Sequence, residues 1–229
     1  QATMADVENF FFRHYRPNHA VLVVAGNVTT DQIKKLAEKW FAPIPSGEKI
    51  MRSLTAEPLQ TTKRTLRVEA KVPAPAFYKT YHMPGRFHHD YYAADLLSDI
   101  MSRGESSRLH QKLVKEKEVF TAVSSFVMGT LDPGLLVING RTQEGVSPEE
   151  AEKEVDEILQ NIVRDGVTER ELQKVKNQSV STLVFGEVEI LNRAMNLAFA
   201  SLSGNTDWVN HEADFIEKVS PQDIHRVAK

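Results

Sequence analysis

The sequence predicts an α+β fold, an antiparallel-rich sheet with helices packed on one face. Two observations carry this. Between residues 63 and 229 the segments read strand, strand, helix, helix, strand, strand, helix, helix, helix, so strands come in pairs and helices in groups. The chain also has 229 residues of which 41% are hydrophobic, enough to bury a core and too much for wholesale disorder.

Taken in order, a first helix starts at Thr3, with Asp6 completing a weak capping box, and Met4, Val7, Phe11 and Tyr15 share one face until Pro17 ends it. Residues 20–25, Ala-Val-Leu-Val-Val-Ala, are apolar on both alternating faces and read as a buried strand. Gly26-Asn27 turns the chain, Thr29 and Gln32 form the next capping box, and Ile33, Leu36, Ala37, Trp40 and Phe41 follow at helical spacing up to Pro43, Pro45 and Gly47. Residues 46–62 show no period and hold Gly47, Ser53 and Pro58, as a linker does. Beyond it, Leu66, Val68 and Ala70 alternate with Arg67 and Glu69, the pattern of a half-buried strand. Residues 76–83 form a second strand framed by Pro73, Pro75 and Pro84.

A helix from about His89 carries Tyr92, Leu96, Leu97 and Ile100 inward, and the loop 102–106 leads to a shorter helix burying Leu109 and Leu113. Residues 120–128 and 135–141 are strands joined through Asp132-Pro133-Gly134, a strong turn signal. Ser147-Pro148-Glu149-Glu150 sets cap, N1 proline and N3 glutamate for an amphipathic helix through Val155, Ile158 and Ile162, closed by Gly166. Thr168 and Glu171 open a long helix, with Gly186 and Asn192 as places to bend, and Gly204 and Ser220-Pro221 separate the last helices.

Composition excludes several functions. Net charge is −3, which gives no electrostatic footprint for nucleic acid, and no apolar run approaches the ~18 residues of a membrane helix. With no Cys there is neither disulfide nor thiolate ligand, and the compartment stays open between cytoplasm and periplasm. The sequence contains no Gly-x-Ser-x-Gly elbow, no phosphate loop and no dinucleotide fingerprint.

Eight His raise the question of metal. A helical zinc-protease site needs two His one turn apart and a Glu as base, yet neither His-Glu-x-x-His nor the inverted His-x-x-Glu-His is present. His211-Glu212 begins such a motif, but Phe215 stands where the second His belongs. His14 and His19 straddle Pro17 and cannot share a face. His88-His89-Asp90 is the tightest cluster, read first as a polar helix start with Asp90 near the dipole and second as a metal site. His82 is expected as a hydrogen-bonded packing residue and His110 and His225 as helix surface. Gly104, Ser106, Ser107 and Arg108 form a helix-start loop whose free N–H groups suit an anion or a backbone carbonyl, against the plainer reading of a cap with Arg108 paired nearby.

Three separated stretches resemble one family. Tyr15-Arg16-Pro17-Asn18-His19 with residues 20–28, followed by Trp40-Phe41-Ala42-Pro43-Ile44-Pro45-Ser46-Gly47, is similar to the end of the first domain of pitrilysin/insulinase-type (M16) zinc peptidases, the family that includes processing-peptidase-like members. Ser106-Ser107-Arg108-Leu109-His110-Gln111-Lys112-Leu113, running into Thr121-Ala122-Val123-Ser124-Ser125-Phe126, resembles its second domain, and Gly166-Val167-Thr168-Glu169-Arg170-Glu171-Leu172 the start of its long helix.

The resemblance implies that residues 1–46 are the remnant of a catalytic-type domain, 47–62 a linker, and 63–229 a second M16-like domain lacking its final strand. Both ends then read as cuts in a longer protein, with the zinc motif upstream of Gln1. The resemblance further implies zinc in the parent and none on this chain, a peptide or unfolded polypeptide as substrate, and a second M16-like half or subunit as partner. Family second domains often carry an Arg and, seven positions on, a Tyr that hold substrate. Here Val114 and Thr121 occupy those positions, so either another half supplies the pair or the parent is a non-catalytic partner subunit. Gly104, Ser106, Ser107 and Arg108 fall where some members have a substrate-recognition loop. The apolar faces of the first two helices are expected to pack on the second domain or on a neighbouring chain.

Overall fold

A computed structural model of the chain describes residues 2–50, 55, 57–72 and 75–229. Parts of the expected linker (51–54 and 56, including Ser53), Pro73 and Gln1 lie outside the described residues. The chain divides into two compact units, one of Gln1–Glu69 with Gly186–Val209 and one of Ala70–Phe185 with Asn210–Lys229.

The second unit holds the sheet and the core. Its strands are β1 (Ala76–Met83), β2 (Phe120–Met128) and β3 (Gly134–Thr142), ordered β1-β3-β2 with both pairings antiparallel. The turn at Asp132-Pro133-Gly134 brings Met128 opposite Leu135, and a Cβ on Gly134 would sit 2.2 Å from the Met128 carbonyl oxygen, so the hairpin needs glycine there. Opposite the hairpin's far end, the ladder shifts register between Phe120 and Ala122.

Helix α3 (Tyr91–Ser102) packs on β2 and β3, and nine of its twelve residues are buried, which explains why its sequence is apolar nearly all round. After it comes a π-helical segment, His110–Glu116, followed two residues on by Glu118, the one non-glycine residue with positive φ (51°) among the described residues. Leu109 and Leu113 are fully buried as expected, and Val114 is half-buried.

Helix α4 (Pro148–Asp165) starts where its signature placed it, the Glu150 N–H donating to Ser147 Oγ at 3.1 Å. Gly166 closes it at φ +75°. Helix α5 (Glu169–Gly186) opens on the reciprocal bonds of Thr168 and Glu171, at 2.8 and 3.2 Å. The long helix breaks at Gly186 and restarts as α6 (Ile190–Leu202), and α7 (Trp208–Lys218) and α8 (Pro221–Ala228) complete the chain. Ile224 of α8 is fully buried, and α8 packs against α3 and α4. The α+β class with antiparallel pairing thus matches the expectation.

The first unit contains α1 (Met4–His14) and α2 (Thr30–Trp40), both with the capping boxes expected from Thr3/Asp6 and Thr29/Gln32. Neither helix has a buried residue. Phe10 is 58% and Trp40 63% exposed, so these amphipathic helices are formed with their apolar stripes uncovered.

Two expected strands are not formed. Residues 20–25 carry no strand pairing, with Val21, Leu22 and Val24 exposed, and residues 66–70 likewise run unpaired with Leu66 86% and Val68 73% exposed. Apolar alternation fixes which faces of an extended segment want cover, but a strand also needs a hydrogen-bonding neighbour, and none of β1, β2 or β3 pairs with either segment. Among the described residues no helix is long and apolar enough to cross a membrane.

The uncovered stripes have a measurable consequence. The chain is expected to self-associate with rising concentration in light scattering, and Phe11→Glu with Trp40→Glu to shift it toward monomer. A wild-type chain that stays monomeric would show that these faces need no partner.

Candidate functional site

The loop between α3 and the π-helical segment is tightly framed. Gly104 takes φ +81°, its carbonyl accepts the Ser107 N–H at 3.1 Å, and a Cβ there would meet nothing within 4 Å, so its need for glycine is conformational. Lys174 from α5 donates to Ser106 Oγ at 3.0 Å and to the Arg103 carbonyl at 3.4 Å. Gln111 reaches back to the Glu105 carbonyl at 2.6 Å. Ser102 Oγ donates to the Ser125 carbonyl of β2 at 2.8 Å. Ser106 and Gly104 face outward, whereas Ser107 is buried and its Oγ has no partner among the described residues.

Arg108 turns away from solvent. Its Nε and one terminal nitrogen donate to the two oxygens of Glu171 at 2.7 and 2.9 Å, and the same terminal nitrogen donates to the Gly166 carbonyl at 3.1 Å. This fork, helped by Thr168, holds the Glu171 carboxyl down to about 2. The partner lies 63 positions away, so the pairing joins the loop to the start of α5.

Val114 and Thr121 sit on the π-helical segment and on β2. Thr121 is exposed and its Oγ1 donates to the Arg141 carbonyl at 3.2 Å. Neither position offers a guanidinium or a phenol.

The structure does bring His88, His89 and Asp90 together, one ligand atom from each lying within 4.8 Å of the others. Asp90 makes no side-chain cap on α3 and is instead ion-paired with Arg226 of α8, while its own N–H donates to His88 Nδ1 at 3.1 Å. A guanidinium on the only carboxylate opposes a dication there, and no adjacent Glu stands as base, so these residues do not fit a catalytic zinc centre. Three further His, two expected at the helix surface and His82 expected as a hydrogen-bonded packing residue, are placed as follows. His225 Nε2 lies 2.7 Å from the Val163 carbonyl and ties α8 to α4, His110 Nε2 is buried without a partner among the described residues, and His82 is exposed on β1.

Two polar networks had no reading in sequence. Arg103 donates to Asp99 at 2.7 Å and to Ser179 and Thr182 of α5, each at 2.9 Å. Arg86 pairs with Glu212 of α7 at 2.5 Å, and Tyr92 donates to the same carboxylate oxygen at 3.0 Å. Between them, burial, the nearby Asp99 charge and a smaller push from Glu212 raise the Asp95 carboxyl to about 6, against the pull of Arg86 and Arg103. The signal was present as Asp95, Asp99 and Arg103 at four-residue spacing on an otherwise apolar helix.

Comparison with known proteins gives a consistent picture. The family model described as "Peptidase M16 inactive domain" matches residues 1–179. Zinc protease PqqE of Helicobacter pylori is 27% identical over 177 residues, covering 76% of this chain and 40% of its own. An uncharacterized zinc protease of Mycobacterium bovis is 25% identical over 240 residues, covering 99% of this chain and 52% of its own. The chain therefore spans about half or less of the length of these curated relatives. The crystal structure of a protease from Helicobacter pylori superposes with a TM-score of 0.91 at 23% identity, over 100% of this chain and 56% of that one.

Proposed function

The chain belongs to the peptidase M16 family through its match to the inactive domain, and on that premise we propose that it forms a non-catalytic wall of a peptide-enclosing chamber in a zinc metallopeptidase. The match over residues 1–179 carries this reading, and the absence of His-x-x-Glu-His from the sequence agrees with it. Zinc and its base belong, in this reading, to a part of the parent outside these residues, as the names and lengths of the relatives support. Residues 1–46 are then the tail of that preceding domain, 47–62 the linker and 63–229 the wall. The substrate is a peptide or unfolded polypeptide, enclosed between this half and a second M16-like half or subunit. Gly104 and Ser106 supply the exposed rim of the loop that meets substrate, the buried Ser107 is excluded from that contact, and Arg108 holds the loop through Glu171. A second reading, a structural or partner subunit with no catalysis at all, is favoured by Val114 and Thr121, which cannot hold a scissile carbonyl as Arg and Tyr would.

The purified chain is expected to show no hydrolysis of a quenched fluorescent peptide mixture and no stoichiometric zinc by mass spectrometry. Turnover by the chain alone would overturn the reading. The whole parent is expected to cleave the same peptides and to lose activity on chelation. A parent that fails to cleave while staying folded would leave the partner-subunit reading standing.

A further inference from the structure

We propose that the segment joining α1 to its distant return at residues 46–50 forms a binding pocket for a small phosphate-bearing molecule. Pro17 ends α1 and the chain folds into a short 3-10 turn, Pro17–His19. From that turn the Asn18 side chain reaches 29 positions along the chain and clamps Gly47 twice. Its Nδ2 donates to the Gly47 carbonyl at 3.0 Å, and its Oδ1 accepts the Gly47 N–H at 2.8 Å. The approach is close, because a Cβ at Gly47 would stand 2.7 Å from Arg16 Cγ and force that side chain to shift.

Next to the clamp lies a half-open cavity of about 580 Å³, lined on one side by Phe12, Arg13 and Arg16 and on the other by Gly47, Glu48 and Lys49. That volume is in the range of small-ligand sites. Three cations face one carboxylate, a lining charge of 3 − 1 = +2 in a chain whose net charge is −3. Among the described residues Arg13, Lys49 and Glu48 have no ion-pair partner. Arg16 spends only its Nε, on the Phe12 carbonyl at 2.6 Å, and its guanidinium lies 5.8 Å from the centre of the Phe12 ring. Among the described residues its two terminal nitrogens have no hydrogen-bond partner and remain for a ligand.

Beside Gly47 and outside the cavity's lining, both ring nitrogens of His19 are buried with no partner among the described residues. Buried polar atoms without partners mark a place where water or a ligand completes the structure. Two guanidiniums and an ammonium around an aromatic ring suit an organic phosphate, since the planar forks and the point charge both match phosphate oxygens.

The test is calorimetric titration of the full chain with pyrophosphate at low ionic strength, with citrate titrated alongside. Saturable binding is expected, weakened at least about tenfold by Arg13→Gln with Lys49→Gln. Lys34→Gln with Lys35→Gln removes equal charge from α2 and is expected to leave affinity within about twofold. Citrate is expected to bind more weakly than pyrophosphate. Absence of saturation, equal weakening by both pairs, or citrate binding as tightly as pyrophosphate would each overturn the proposal.

Discussion

Asp95→Asn is expected to stabilise the folded chain by about 1–3 kcal/mol above pH ~6 and to do nothing below pH ~4. The Asp95 carboxyl stands at about 6 in the folded chain against an ordinary 3.8. Burial dominates, Asp99 one turn along α3 adds like-charge repulsion, Arg86 and Arg103 partly offset both, and Glu212 repels weakly. The folded value is raised, so the folded chain holds a proton that the unfolded chain has already released. Stability is therefore full below the unfolded value and falls as pH rises through the folded one. A shift of roughly two units sets a ceiling of about 3 kcal/mol, and partial exposure of the site lowers it. Denaturant unfolding of both proteins across this window reads the effect as a difference, which cancels carboxylates that titrate elsewhere. Parallel curves for the two proteins between pH ~4 and ~7 would show that Asp95 is ionised at no cost.

The same helix shows what a sequence can and cannot display. Caps are local, so Thr3 with Asp6, Thr29 with Gln32 and Ser147 with Glu150 all stand where spacing placed them. The hairpin at Asp132-Pro133-Gly134 is local in the same sense. Residues 20–25 are apolar on both faces and residues 66–70 alternate, but either pattern reports a wish for cover and not the presence of a neighbour. The missing partner is a long-range fact. So are the partners of Arg108, His225 and Arg226, at separations of 63, 62 and 136 positions. His225 looked like surface because its helical position is polar, and only the packing of α8 on α4 turned its ring onto the Val163 carbonyl. For the candidate site, the loop containing Gly104 and Ser106 was legible from its glycine and the helix that follows. The inward turn of Arg108 was not, because nothing near it in sequence names Glu171. Asp95 carries its signal openly as a charge every fourth residue on an apolar helix, and its meaning appears once Arg86 and Glu212 converge on it.

Arg108→Met is expected to cost about 1–3 kcal/mol of stability near neutral pH, through the loop's attachment and not through lost surface charge. The guanidinium makes three hydrogen bonds, two to Glu171 and one to the Gly166 carbonyl at the end of α4. Removing it leaves Glu171 half-buried with only the Thr168 N–H and hydroxyl. The pH dependence has a definite sign. The folded Glu171 value is depressed to about 2 from 4.5, so its contribution is present above the unfolded value and is lost as pH falls through the folded one. In Arg108→Met the folded value returns toward the ordinary range, and the acid limb between pH ~4.5 and ~2 flattens. Arg108→Lys is expected to recover only part of the loss, since an ammonium cannot reach both carboxylate oxygens and the carbonyl as a planar fork does. The parent protein separates this from a direct role at the substrate. If Arg108 positions the loop, stability and peptide affinity fall together in Arg108→Met, and Glu171→Gln reproduces much of both. If Arg108 instead touches peptide, its loss raises KM while the unfolding midpoint stays put, and Glu171→Gln is silent. The geometry, with the fork closed on Glu171 and the exposed rim made by Gly104 and Ser106, favours the first outcome.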